Sequence, residues 1–318
     1  MKTYHVWERV EIALTAQGTY DNPYTDVEVW ANLIGPGFSK RVYGFWDGGS
    51  VFRIRLLATK VGTWNWSIES NVSDSGMDGT SGSFEAVAWS AHEKEANPTR
   101  RGFICASADG HGFELADGSP FFLLGDTWWA VPTFRYRWYD DDVQRPVGPE
   151  MGFKDMVRYR KTQGYNSIAI LAGFPTWAAD GRPSTIVIDD DSATAVRAAW
   201  AKPGTSTAKD MHNEGGRPFC FPGTVPEYED VVPDFDRINP DYFRFLDRKI
   251  DFLNDEGFFP FMEVARRDVS QVWQRYGRWP ESYARYIQYV FCRYQANNCL
   301  LSPIHFDYDG YSIPSRAY

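Results

Sequence analysis

No run of about 18 apolar residues occurs in this 318-residue chain, so no membrane-spanning helix is readable in it. The N-terminus, MKTYHVWERVEI, lacks the apolar core of an export signal. Both absences favour the cytoplasm; a periplasmic or secreted location would require a leader already removed. Cysteine is scarce: Cys105, Cys220, Cys292 and Cys299 have neither CxxC spacing nor a nearby His pair. They read as free core thiols rather than zinc ligands. GxSxG, GxGxxG, the Walker loop and HExxH are also missing, which removes the mechanical parts of serine hydrolases, dinucleotide and phosphate binders and zinc proteases. No metal or organic cofactor is expected. The net charge is −9 and no basic face is clustered, so nucleic acid is not an expected partner.

Aromatic residues are abundant. Thirteen Trp, 18 Tyr and 22 Phe make 17% of the chain. Such rings bury large areas in cores, and their faces also stack on sugar rings, so the composition points toward a carbohydrate-active protein with core packing as the competing explanation.

Two regions follow different patterns. From Val6 to about Trp89 apolar residues alternate, as in Val10, Ile12 and Leu14, between turn clusters such as Tyr20-Asp21-Asn22-Pro23 and Trp46-Asp47-Gly48-Gly49. This predicts an all-β sandwich over residues 1–90. Residues 91–101, polar and carrying Pro98, read as a linker. Beyond it, Phe121–Gly125, Ser167–Leu171, Phe258–Val264 and the run starting at Asn298 are continuously apolar, as in strands covered on both faces. Helical stripes separate them: Phe153/Met156/Val157/Arg160 before Gly164, Phe243/Leu246/Ile250/Leu253 between Asn239-Pro240 and Gly257, and Tyr283/Ile287/Tyr294 after Pro280. Residues 102–318 therefore read as a βα ladder of four units, with a long polar insertion from Asp180 to Asp236.

In such barrels the strand tips carry the chemistry. The tips supply Asp126, Trp128 and Trp129; Trp177; Glu263, Arg267 and Asp268; and His305 and Asp307. Carboxylates interleaved with aromatic rings suit a glycosidase subsite, where one carboxyl stays protonated and another is ionised. Each has a structural rival. Asp126 can close an Asp-Thr turn, Glu263 can pair with Arg266 or Arg267, Arg267 can pair with Asp268, and His305 can be a core histidine.

The stretches YDNPYTDVEVWANLIGPG, GFWDGG and FRIRLLATKVGTWNW resemble the immunoglobulin-like sandwich that precedes the barrel in bacterial apiosidase-like glycoside hydrolases. GSPFFLLGDTWW, QGYNSIAIL and WPESYARYIQYVFCRYQANNCLLSPIHFDYDG are similar to the first half of that barrel. The resemblance implies a multidomain protein, an immunoglobulin-like sandwich followed by an α/β TIM-type barrel, here its first four βα units. It further implies retaining hydrolysis of a plant or algal oligo- or polysaccharide. Asp307 matches the acid/base position at strand four, and the remaining tip residues would bind substrate. His305-Phe306 departs from the commoner glycine-containing version of that motif, which bears on substrate type. The nucleophile of related barrels, at strand seven, has no counterpart, so the expectation is a fragment or a half-barrel completed by a second copy in a homo-oligomer. A carbohydrate-binding or assembly protein that keeps the fold without catalysis is the main rival; a polysaccharide lyase using Arg266 and Arg267 is another.

Overall fold

Alternation in the first ninety residues becomes eight strands in a computed structural model that describes residues 1–173, 213–220, 234–264 and 280–303. They are β1 (Lys2–His5), β2 (Arg9–Thr15), β3 (Val29–Gly35), β4 (Phe38–Tyr43), β5 (Phe45–Trp46), β6 (Val51–Leu57), β7 (Gly62–Ser70) and β8 (Ser81–Val87). One sheet runs β1-β8-β7-β3-β4 and the other β2-β6-β5. All pairings are antiparallel except β1 with β8. Period two sends Val29, Ala31 and Leu33 of one sheet and Phe52, Ile54 and Leu56 of the other into a shared core around Trp64. Each of these side chains larger than that of Ala31 contributes about 1.5–3 kcal/mol by leaving water. Gly35 lies against the Trp64 ring, where a Cβ would come within 2.3 Å of it.

The expected linker is itself folded. Ser90 and Glu93 form a capping box that starts a short helix, Ala91–Ala96, and a 3₁₀ turn, Pro98–Arg101, follows. A small antiparallel sheet comes next, β11 (Pro120–Phe121), β10 (Phe113–Leu115) and β9 (Ile104–Ala106) in that order. Cys105 lies in it and is exposed, which corrects its reading as a core thiol; Cys292 is buried as expected.

The continuous apolar runs form a parallel sheet: β12 (Gly125–Thr127), β13 (Ser167–Leu171), β16 (Phe261–Glu263) and β17 (Leu300–Ser302), adjacent in that order. Between β13 and β16 lie two short strands, β14 (Phe219–Cys220) and β15 (Asp234–Ile238). The helices α1 (Phe153–Thr162), α2 (Pro240–Asp255) and α3 (Glu281–Tyr294) match the predicted stripes. Asn239 caps α2 by accepting from Asp241 N, while Gly164 and Gly257 take the left-handed conformation that ends α1 and α2. The first strand differs from expectation. Phe121 pairs with Phe113 in the small sheet, Phe122 is 79% exposed, and the parallel strand begins only at Gly125. The Asn166 side chain explains the break: it accepts from Leu124 N and donates to Phe122 O, consuming the backbone groups of that run.

The two regions are joined through charge. Arg293 of α3 is wholly buried, ion-paired to Asp247 of α2 at 2.8 Å and to Asp47 of the sandwich at 3.0 Å. Arg55 of β6 adds a 2.7 Å pair to Asp247 and donates to Arg293 O. The Phe45 ring lies beneath both guanidiniums, at 5.1 Å from Arg55 and 4.7 Å from Arg293. Phe45 and Asp47 belong to GFWDGG, so that motif is a docking element between the domains.

Candidate active site

Register decides which tip residue faces where. Asp126 stands opposite Ile168, and Ile170 opposite Met262. Ile168, Ile170 and Met262 are wholly buried in one cluster with Val157, Leu246, Ile250, Leu253 and Val290 of the helices. That side of the sheet is therefore the helix-covered side. The alternate residues, Leu171, Glu263 and Ser302, stand in one row at the C-terminal edge and point to the other side.

Asp126 accordingly meets a helix. Its Oδ2 accepts from Arg160 Nε of α1 at 2.7 Å and from Trp128 Nε1 at 2.9 Å, and its Oδ1 accepts from Thr127 N at 2.8 Å. Burial raises its carboxyl, but the Trp128, Thr127 and Arg160 bonds outweigh that and hold it below the usual carboxylate range. The turn-like contact to Thr127 matches the structural alternative read from the sequence. Trp128 is buried, stacked on Tyr136 at 5.4 Å with an edge contact to Phe153. Its ring thus packs inside the protein. Trp129 is half-buried, and its carbonyl accepts from Leu171 N.

Glu263 is different. It ends β16, lies on the side away from the helices, is 7% exposed, and its carbonyl accepts from Ala172 N at 2.8 Å. Around it the tips are fixed by Val264 N donating to Ser302 O, Tyr286 OH to Val264 O and Tyr283 OH to Pro303 O. Gly173, beside Glu263's neighbour Ala172, packs where a Cβ would meet Tyr286 Oη at 2.7 Å. A buried carboxylate at the C-terminal edge of a parallel strand can act as acid, base or hydrogen-bond acceptor for a hydroxyl. Trp177, Arg267, Asp268, His305 and Asp307 lie outside the described residues.

One residue that sequence reasoning missed supports this layer. Lys249 of α2 is buried and donates to the carbonyls of Val131, Thr133 and Tyr136, tying the segment after Trp128 and Trp129 to the helices. Burial pushes its ammonium down to about 7. It falls at a helical position one residue before the apolar Ile250, and no local pattern distinguishes it from a solvated lysine. Among the described residues no group of three or more His, Cys, Asp or Glu could hold a metal ion, and no helix is long and apolar enough to cross a membrane.

Residues 3–71 match DUF5060, a domain of unknown function. Among solved structures, a candidate glycoside hydrolase from Bacteroides vulgatus is similar over 95% of this chain and 49% of its own, with a TM-score of 0.64 and 20% identity. A glycoside hydrolase family 5 protein from the same organism matches 64% of this chain and 33% of its own at 17% identity, with a TM-score of 0.35. This chain thus spans about half of the first relative's length. No curated protein matches it. The first similarity establishes a shared two-domain fold, and residues 107–303 match the apiosidase-like catalytic domain, so the chain belongs to the apiosidase-like family.

Proposed function

We propose that this chain is a glycoside hydrolase, or carries part of one, acting on a plant or algal oligo- or polysaccharide by a retaining two-carboxylate mechanism. The observation that carries the reading is Glu263, a buried carboxylate ending a parallel strand on the side away from the helices. In a TIM-type barrel that side is the interior and that end is the catalytic mouth. The N-terminal sandwich is read as immunoglobulin-like, and the four parallel strands as part of such a barrel.

Asp307 protonates the departing glycosidic oxygen and later takes a proton from the attacking water. Glu263 accepts a hydrogen bond from a sugar hydroxyl, and Trp129, with Trp177, Arg267, Asp268 and His305, shapes the subsite. Asp126 and Trp128 act one step back, holding the strand-12 tip to α1 so that Trp129 keeps its position. The nucleophile of a retaining pair must come within about 5 Å of Asp307. Among the described residues β12 and β17 are the sheet's unpaired edges, and a strand beyond one of them is the source assigned to that second carboxylate.

Hydrolysis of a set of aryl glycosides by this chain tests the reading. Asp307→Asn is expected to lower kcat by about 10²–10⁴-fold, the usual worth of a general acid. Glu263→Gln is expected to act mainly on KM. Hydrolysis that Asp307→Asn leaves unchanged would sink the assignment.

A further inference from the structure

A cavity of about 390 Å³ opens between the two domains at the end of the molecule opposite Glu263, beside the last turn of α2 and the residues that follow α3. Trp7 and Arg9 of the sandwich, Asn97 and Arg100 of the connecting segment, and Asp255 and Asn298 of the helix layer all line it.

Trp7 is held there deliberately. It is the one described non-glycine residue with a left-handed backbone, φ 64°, a conformation a bulky side chain keeps only when its surroundings impose it. Trp7 N donates to Ala58 O at 2.9 Å, and Phe103 meets the ring edge-on at 5.3 Å. Gly102, itself at φ 98°, leaves the ring its space, for a Cβ there would lie 2.6 Å from Trp7 Cε2.

The opposite wall is made of amides. Asn298 donates to Thr99 O at 2.9 Å, and Asn297 donates to Asp251 at 3.0 Å. Both residues are more than nine-tenths buried, yet each keeps a side-chain oxygen without a hydrogen-bond partner. Both oxygens are themselves closed to water, so they lie behind the cavity wall and do not contact its contents. The charges nearly cancel: Glu8, Asp251 and Asp255 face Arg9 and Arg100, with Arg9 and Asp251 joined in a two-pronged pair at 2.6 and 2.8 Å.

An indole, several amides and a nearly balanced set of charges suit a neutral ligand with both C–H faces and hydroxyls. The volume falls at the lower end of small-molecule sites, which run from about 300 to 1,000 Å³. We propose that this junction cavity is a second, non-catalytic site that binds a short neutral saccharide of one to three rings. It uses no strand-tip residue and so stands apart from the hydrolase reading.

Calorimetric titration of the full chain with cellotriose, xylotriose, mannotriose, arabinotriose and galactotriose tests it. At least one should bind, with affinity weakened about tenfold or more by Trp7→Ala, as expected for loss of a stacking ring, and retained in Asp307→Asn. Asp255→Asn, a near-isosteric change at an exposed position, should also weaken binding and guards against a folding failure of the Trp7 variant. The proposal is overturned if none of the five binds, if both cavity variants bind as the parent does, or if Asp307→Asn removes the binding.

Discussion

The domain junction and the mouth of the parallel sheet both bury carboxylates, but different features of the fold place them there. At the junction Asp47 and Asp247 are surrounded by guanidiniums from elements far apart in sequence: Arg53, Arg55 and Arg244 join Arg293. At the mouth, register carries Glu263 to the side of the sheet away from the helices. Asp126 sits at the mouth by position yet belongs with the junction by chemistry, because it faces a helix and is matched to Arg160. Carboxylates set among guanidiniums act as clamps, and a candidate for chemistry is better sought on the side of the sheet away from the helices.

The contrast breaks most visibly at Arg293. Replacing it with Met leaves Asp47 and Asp247 buried with fewer partners, and a loss of about 3–5 kcal/mol is expected in denaturant unfolding. A loss under about 1 kcal/mol would mean that the two domains do not depend on this cluster.

Acid should act through the same residues. Burial raises the Asp247 carboxyl, but Arg293 and Arg55 overcome it and hold it at about 2, against an ordinary value of 3.8. A depressed acid stabilises the fold above its unfolded pKa and loses that contribution as pH falls through the folded one. Roughly 2 kcal/mol should therefore disappear between about pH 4 and pH 2. Unfolding curves across that window check this, and the slope should flatten in Asp247→Asn.

The smallest effect is expected at the mouth. Arg160→Ala removes a pair in which both side chains are partly exposed, so about 0.5–1 kcal/mol is at stake. Its sharper readout is fluorescence: Trp128, bonded to the same carboxylate and stacked on Tyr136, should change its emission. A silent spectrum would mean that Asp126 holds the indole without help from α1.

Much of this architecture was legible along the chain. Alternation at Val10, Ile12 and Leu14 foretold a sandwich face, and Asn239-Pro240 with Gly257 bracketed α2, because capping and periodicity are local properties of the backbone. The apolar run at Phe121–Leu124 misled, since apolarity does not say which partner a strand takes, and the Asn166 amide that divides the run lies more than 40 residues away. The packing of Trp128 was not legible for a related reason: a tryptophan beside a strand tip can face a cavity or a helix, and its neighbours in sequence are the same in both cases.

The sequence by itself determined the element types, the two-domain order and the family resemblance, since these rest on short-range spacing and on motifs such as GFWDGG. Only the tertiary structure decided that GFWDGG is a docking element, that Asp126 is a clamp and Glu263 is not turned to the helices, and that Trp7 meets Asn298 across a cavity. Each of those depends on strand register or on contacts between residues tens to hundreds of positions apart, and side-chain direction in a sheet reverses with a shift of a single residue.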